Sequence, residues 1–160
     1  MAADLSPLEA IQIRLAIEDL NTAFTYHLDH NEVEALLDLF TDDVYYTHGE
    51  RVSRGKAELE EVFRRRTAAG PRTSRHLYSG LRVDIESRDR ARGTCVCMTF
   101  GQNALPPCSP AIPILVADFE DVYVRCGDGR WRIRERHIRR IFADPSNKGP
   151  LGMKPPTTTA

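Results

Sequence analysis

No apolar run in the 160 residues approaches the ~20 needed to cross a bilayer. The start, "MAADLSPLEAIQ", has neither a basic segment nor an apolar signal core, so neither a membrane span nor a secretion leader is expected. The expected compartment is the cytoplasm. Charge of one sign is also missing. Lys and Arg number 22 against 23 Asp and Glu, a net charge of -1, which removes the bulk attraction that a nucleic-acid binder needs. The arginine run 64–66 and the alternating Arg130, Arg132, Arg134 and Arg136 read as solvated or salt-bridged faces, because no aromatic stacking pattern accompanies them. Cysteine is scarce too. Cys95, Cys97, Cys108 and Cys126 are expected to be free thiols, since Cys95-x-Cys97 lacks the two-residue gap of a zinc knuckle and no leader marks an oxidising compartment. There is no internal repeat. Hydrophobic residues at 41% and charged residues at 28% match ordinary globular usage, so one domain with its own core is expected.

What is present falls into an ordered series of elements. In "SPLEAIQIRLAIEDLNTAFTYHLDHN", Ser6 caps, Pro7 takes the first helical position and Glu9 completes a capping box. Ile13, Ile17, Leu20, Phe24 and Leu28 then form one apolar helical face that ends beside Asp29. "HNEVEALLDLF" predicts a second, short helix, and the acidic "TDD" after it a turn. "VYYTHGERVS" predicts a hairpin turning at Gly49-Glu50, and residues 55–70 a third helix with Leu59, Val62 and Phe63 inward. Strands are expected at 75–86, 92–103, 114–126 and 130–142, the second and third linked by the proline-rich "ALPPCSPAIP". Residues 1–143 form the domain, and 144–160, rich in Pro, Gly and Thr, a tail. Helices first and strands last predict an α+β fold in which a curved, mostly antiparallel sheet wraps the helices, leaving a cone whose interior suits a small ligand.

Of five histidines, His27, His30, His48, His76 and His137, the one at the entrance of a central strand draws attention. An imidazole titrates near neutrality and serves as a base when a carboxylate fixes its tautomer. Asp29 is the natural partner of His76, because an anion at a helix C-terminus opposes the macrodipole and needs another source of stabilisation. Alternation leaves the orientation of His76 open. On a regular strand it faces away from Leu77, Leu81, Val83 and Ile85, whereas a bulge at Ser79-Gly80 exchanges the faces and turns it inward. Asp29 alternatively caps the following helix. His137 is expected on one face with Trp131 and Ile133, and Asp121 and Arg136 on adjacent strands as a structural ion pair.

The segments "LDHNEVEALLDLFTDDVYYTHGERVSRGKAEL", "SRHLYSGLRVDI" and "DFEDVYVRCGDGRWRIRERHIRRIF" together resemble the SnoaL-like branch of the nuclear transport factor 2-like superfamily, from about Leu8 to Phe142. Asp29 matches that family's helix-end aspartate and His76 its strand histidine. Phe119, Asp121, Gly129, Trp131, Ile133 and Arg136 fall on its last hairpin pattern. The resemblance implies a cone-shaped α+β barrel of the cystatin-like kind. In members such as scytalone dehydratase, bile acid dehydratase and hexachlorocyclohexane dehydrochlorinase, it also implies an Asp–His dyad that works without cofactor or metal. Phe24 stands where dehydratase relatives place a tyrosine, leaving Tyr26, Tyr45, Tyr46 or Tyr78 to supply a phenol. The implied function is that of a dehydratase-type lyase or isomerase. Its substrate is a small hydrophobic compound, aromatic, terpenoid or polyketide-like, in contact with Phe24, Phe40, Met98, Phe119, Tyr26, Tyr46, His48 and Arg136. Two other readings are a non-catalytic ligand binder and a scaffold like the β subunit of an aromatic-ring-hydroxylating dioxygenase, partnering an oxygenase α subunit. A homodimer or homotrimer is expected from the half-covered sheet.

Overall fold

The computed structural model describes residues 5–146. Three helices, α1 (Pro7–Asp29), α2 (Val33–Asp38) and α3 (Gly55–Ala68), precede or interrupt six strands: β1 (Phe40–His48), β2 (Arg51–Arg54), β3 (Thr73–Ser87), β4 (Arg90–Gln102), β5 (Pro113–Arg125) and β6 (Trp131–Ala143). The capping box at Ser6 and Glu9 forms as the sequence indicates. The strands make one sheet in the order β2-β1-β6-β5-β4-β3, antiparallel except for the parallel pair β1 and β6. This is the expected α+β cone, with one refinement: the sheet is not closed. Strands β2 and β3 remain its edges, and α1 runs across the concave side against β3. Of the expected tail, all but Asp144–Ser146 lies outside the described residues.

Curvature comes from bulges, and the bulges decide which side chains enter the cone. In β3 the register slips between Ser79 and Arg82, at Gly80, whose φ of 66° suits glycine. Ser74, His76 and Tyr78 therefore share the concave side with Leu81, Val83 and Ile85, while Leu77 is exposed on the other side. Alternation alone left that choice open. In β6 a slip opposite Val122 and Tyr123 separates Ile133 from the residues that follow. Arg136 and Ile138 are buried as a result, and His137 is turned to the outer side against Thr47 and Tyr45, not onto the face of Ile133 as expected. The "TDD" segment is not a turn. Thr41, Asp42 and Asp43 lie within β1, where the register jumps between Phe40 and Tyr45, and the two aspartates reach Lys56 and Arg134.

The core fills the concave side. Ile13, Ile17, Leu20, Phe24 and Leu28 from α1 meet Leu36 and Leu37 from α2 and Leu59, Val62 and Phe63 from α3. Each fully buried residue of this kind contributes ~1.5–3 kcal/mol. Phe24, Phe40, Phe63, Phe119 and Tyr46 form a connected aromatic group with ring centroids 6.0–6.3 Å apart. Met98 is not among them. It stands on the outer side of β4, 37% exposed, because the inward residues of that strand are Cys95, Cys97 and Thr99.

Candidate active site

Asp29 is the last residue of α1, and the helix ends with its carboxylate aimed at the opening turn of β3. There it accepts three hydrogen bonds. The Ser74 hydroxyl donates to Oδ1 over 2.7 Å, the His76 backbone N–H to Oδ2 over 2.7 Å, and His76 Nδ1 lies 2.6 Å from Oδ1. It does not cap α2, whose first turn has no side-chain cap. Both side chains are nearly out of water, 5% exposed for Asp29 and 14% for His76. Burial alone raises the Asp29 carboxyl. The hydrogen bonds and charge of His76, with the Ser74 hydroxyl, outweigh it and hold the group below the usual carboxylate range. Asp29 is therefore an anion at neutral pH and can only accept, so the neutral His76 ring carries its proton on Nδ1. That leaves a lone pair on Nε2 able to accept a proton; in the sheet His76 is paired with Thr99 of β4.

Arg66 fixes the platform beneath the pair. It donates to the Leu28 carbonyl, to Asn31 Oδ1 at 2.6 Å and to Ser74 Oγ at 2.9 Å. The sequence reading took the whole run 64–66 as a solvated face. That holds for Arg64 and Arg65, which pair with Glu60, Glu34 and Glu61, but Arg66, one-third of a turn on, points inward. Ser74 was also missed, although it stands two residues before His76 and hence on the same face of the strand.

Deeper in the cone, Arg136 is fully buried. Its Nε and one terminal nitrogen grip both oxygens of Asp121 at 2.8 Å, and that nitrogen also donates to Asn21 Oδ1 at 2.6 Å. Tyr123 donates to Asp121 over 2.6 Å and receives from Asn21 over 2.9 Å. The ion pair read from the sequence is thus present, within a network of four residues. The guanidinium lies between the rings of Phe24 and Phe119, 4.3 and 4.8 Å from their centroids. Its remaining nitrogen is buried without a partner.

Tyr46 and His48 follow Arg136 along the same face. Burial raises the Tyr46 phenol, which stays neutral and able to donate. Burial, then the charges of Arg51, Arg140 and His76, lowers His48 to about 3 and keeps it neutral. The thiols behind them are not nucleophiles: burial pushes Cys95 up to about 11 and Cys97 to about 12. The structure therefore brings together His76, Asp29, Tyr46, His48, Phe24, Phe40, Phe119 and Arg136. It separates Met98, on the outer side, and Tyr26, which is 54% exposed and stacked on His30 at 4.1 Å on the solvent side of α1.

Comparison with known proteins matches the chain to a family. The model of the SnoaL-like domain matches residues 9–137. A candidate scytalone dehydratase from Novosphingobium aromaticivorans superposes with a TM-score of 0.79 at 21% identity, covering 94% of this chain and all of that one. LinA superposes with a TM-score of 0.74 at 21% identity, covering 95% of this chain and 100% of the other. A protein with a cystatin-like fold from Nostoc punctiforme gives 0.70 at 23% identity over 91% of this chain and 97% of its own. At such identities the likeness is one of fold. No curated protein sequence matches the chain.

Proposed function

The chain belongs to the SnoaL-like domain family, and from that premise we propose that it is a cofactor-independent lyase or isomerase using an Asp29–His76 dyad. One observation carries the proposal. Asp29 Oδ1 lies 2.6 Å from His76 Nδ1, which leaves the other ring nitrogen as a base on the concave side of the sheet. His76 Nε2 takes a proton from a carbon acid held against Phe24, Phe40 and Phe119, and the Asp29 carboxylate stabilises the imidazolium that forms. Charge develops at the same time on the oxygen conjugated to that carbon. The unpartnered nitrogen of Arg136 and the phenol of Tyr46 are the donors available to meet it, and in a low-dielectric interior such donors count for more than in water. Departure of a β-substituent completes an elimination. Return of the proton from His76 to another carbon completes an isomerisation.

The test is deuterium exchange. A panel of small aromatic and alicyclic ketones with β-hydroxy or β-halo substituents is incubated with the protein in D2O and followed by NMR. The expected result is exchange or elimination with the wild type and its loss in His76→Ala, with the circular dichroism spectrum unchanged. Full exchange in His76→Ala contradicts the proposal. Tight binding of a ketone with no exchange at all identifies a binder instead.

A further inference from the structure

Resting on the dyad reading, we infer that Arg66 and Ser74 are positioning residues that decide where the dyad's proton lies. Arg66 directs the Ser74 hydroxyl onto the Asp29 oxygen that faces His76, and this second donor keeps the proton on Nδ1 and the carboxylate charged throughout a turnover.

The donor directions are forced. A guanidinium only donates, and an ionised carboxylate only accepts. Ser74 Oγ stands between them, 2.9 Å from a terminal nitrogen of Arg66 and 2.7 Å from Asp29 Oδ1. A lone pair of the hydroxyl therefore takes the arginine proton, and its single O–H points at the aspartate. His76 Nδ1 reaches the same oxygen over 2.6 Å, while the His76 backbone N–H holds Oδ2. Oδ1 thus serves two donors, and a hydroxyl polarised by a cation is a strong one. A carboxylate oxygen shared in this way draws less on the imidazole proton. When Nε2 accepts a proton from a substrate, the Nδ1 proton stays on nitrogen and Asp29 remains the counter-charge of the imidazolium.

Arg66 is itself fixed at three points. Besides Ser74 it donates to the carbonyl of Leu28, the residue before Asp29, and to Asn31 Oδ1, so one side chain of α3 fastens the end of α1 to the start of β3. Burial lowers the Arg66 guanidinium, and the charge that opposes this is first that of Asp29 and then that of Tyr46. The arginine's counter-ion is therefore the dyad's own carboxylate, met through one buried hydroxyl. Other ionisable groups face the pair from neighbouring segments. Arg72, just before β3, is lowered to about 10 by burial and then by the charge of Arg66, with Asp29 acting the other way, and its Nη1 donates to Asn103. His48 and Tyr46 on β1 and Cys97 on β4 are kept neutral by burial. A buried position with packing as its one task favours alanine over serine, because a hydroxyl out of water must find partners. At Ser74 both partners belong to the relay.

Proton NMR of the full chain, labelled with nitrogen-15 at histidine, tests the inference. The His76 Nδ1–H resonance, identified by its coupling to the labelled nitrogen, moves downfield as its bond to Asp29 strengthens. Ser74→Ala is expected to move it downfield, because Oδ1 loses its other donor, and Ser74→Thr to return it to the wild-type position. Arg66→Met is expected to move it in the same direction. Combined with Ser74→Ala, the shift should fall short of the sum of the two, because the arginine acts through the hydroxyl. Circular dichroism establishes that each variant is folded; should Arg66→Met fail to fold, the two Ser74 variants decide alone. An unmoved or upfield resonance in folded Ser74→Ala, or single shifts that add in full, overturns the inference. No substrate enters the measurement, so failure of the enzyme reading in the ketone screen and failure of the relay are separate results.

Discussion

Asp29 and Asp121 are both buried carboxylates bound to a basic side chain on the concave side of one sheet, and they differ in what their partners retain. Arg136, held by Asp121 and Asn21, has one nitrogen to spare and can only donate. His76, held by Asp29, retains a lone pair and can accept. In the first pair the charged guanidinium lies against the rings of Phe24 and Phe119, and in the second the ring nitrogen turned away from Asp29 can take up a proton. One motif, a carboxylate gripping a basic side chain, therefore yields a donor in one place and an acceptor in the other, the two partners that the proposed enolisation requires.

The comparison predicts different failures when each pair is broken. Arg136→Met leaves the buried Asp121 carboxylate without its counter-charge and is expected to cost ~3–5 kcal/mol in urea unfolding. Adding Asp121→Leu should recover much of that loss, since an uncompensated charge is worse than an apolar pair. Asp29→Asn is expected to cost less stability, ~1–3 kcal/mol, because an amide still accepts from Ser74 and the His76 backbone. Its turnover, measured on any substrate found by the exchange screen, should fall roughly 10²- to 10⁴-fold because the imidazolium loses its counter-charge.

Acid sharpens the contrast further. His48 binds its proton at about 3 when folded against an ordinary 6.5, so the unfolded chain takes up the proton first as pH falls. Stability is then complete above about 6.5 and declines toward 3, by at most ~1.4 kcal/mol per pH unit. His48→Gln should flatten that window in urea titrations while leaving the loss below about 4 that follows protonation of Asp29. Tyr26→Phe, on the solvent side of α1, should change stability by less than ~0.5 kcal/mol and turnover not at all.

Much of this was legible in the chain, and the exceptions share a cause. Ser6, Pro7, Glu9 and the apolar spacing from Ile13 to Leu28 specify α1 locally, and the pairing of Asp29 with His76 follows from an anion at a helix end needing a donor. Side-chain direction on the strands was harder. His76 and Arg136 enter the cone and His137 leaves it because of bulges at Gly80 and Arg134, set by long-range pairing that no short window contains. Phe119 and Met98 show the same limit, one inward and one outward on neighbouring strands. Arg66 was hidden by composition, since an arginine run reads as surface until neighbouring elements close over one member.

The central claim is that Asp29 keeps the proton of His76 on Nδ1 and leaves Nε2 bare. Nitrogen-15 NMR of histidine-labelled protein, at a pH where the ring is neutral, reads this directly. The account predicts a protonated Nδ1 and an unprotonated Nε2 for His76 in the wild type, with the two tautomers mixed in Asp29→Asn. A ring protonated on Nε2, or a wild-type spectrum that the substitution does not change, would contradict it.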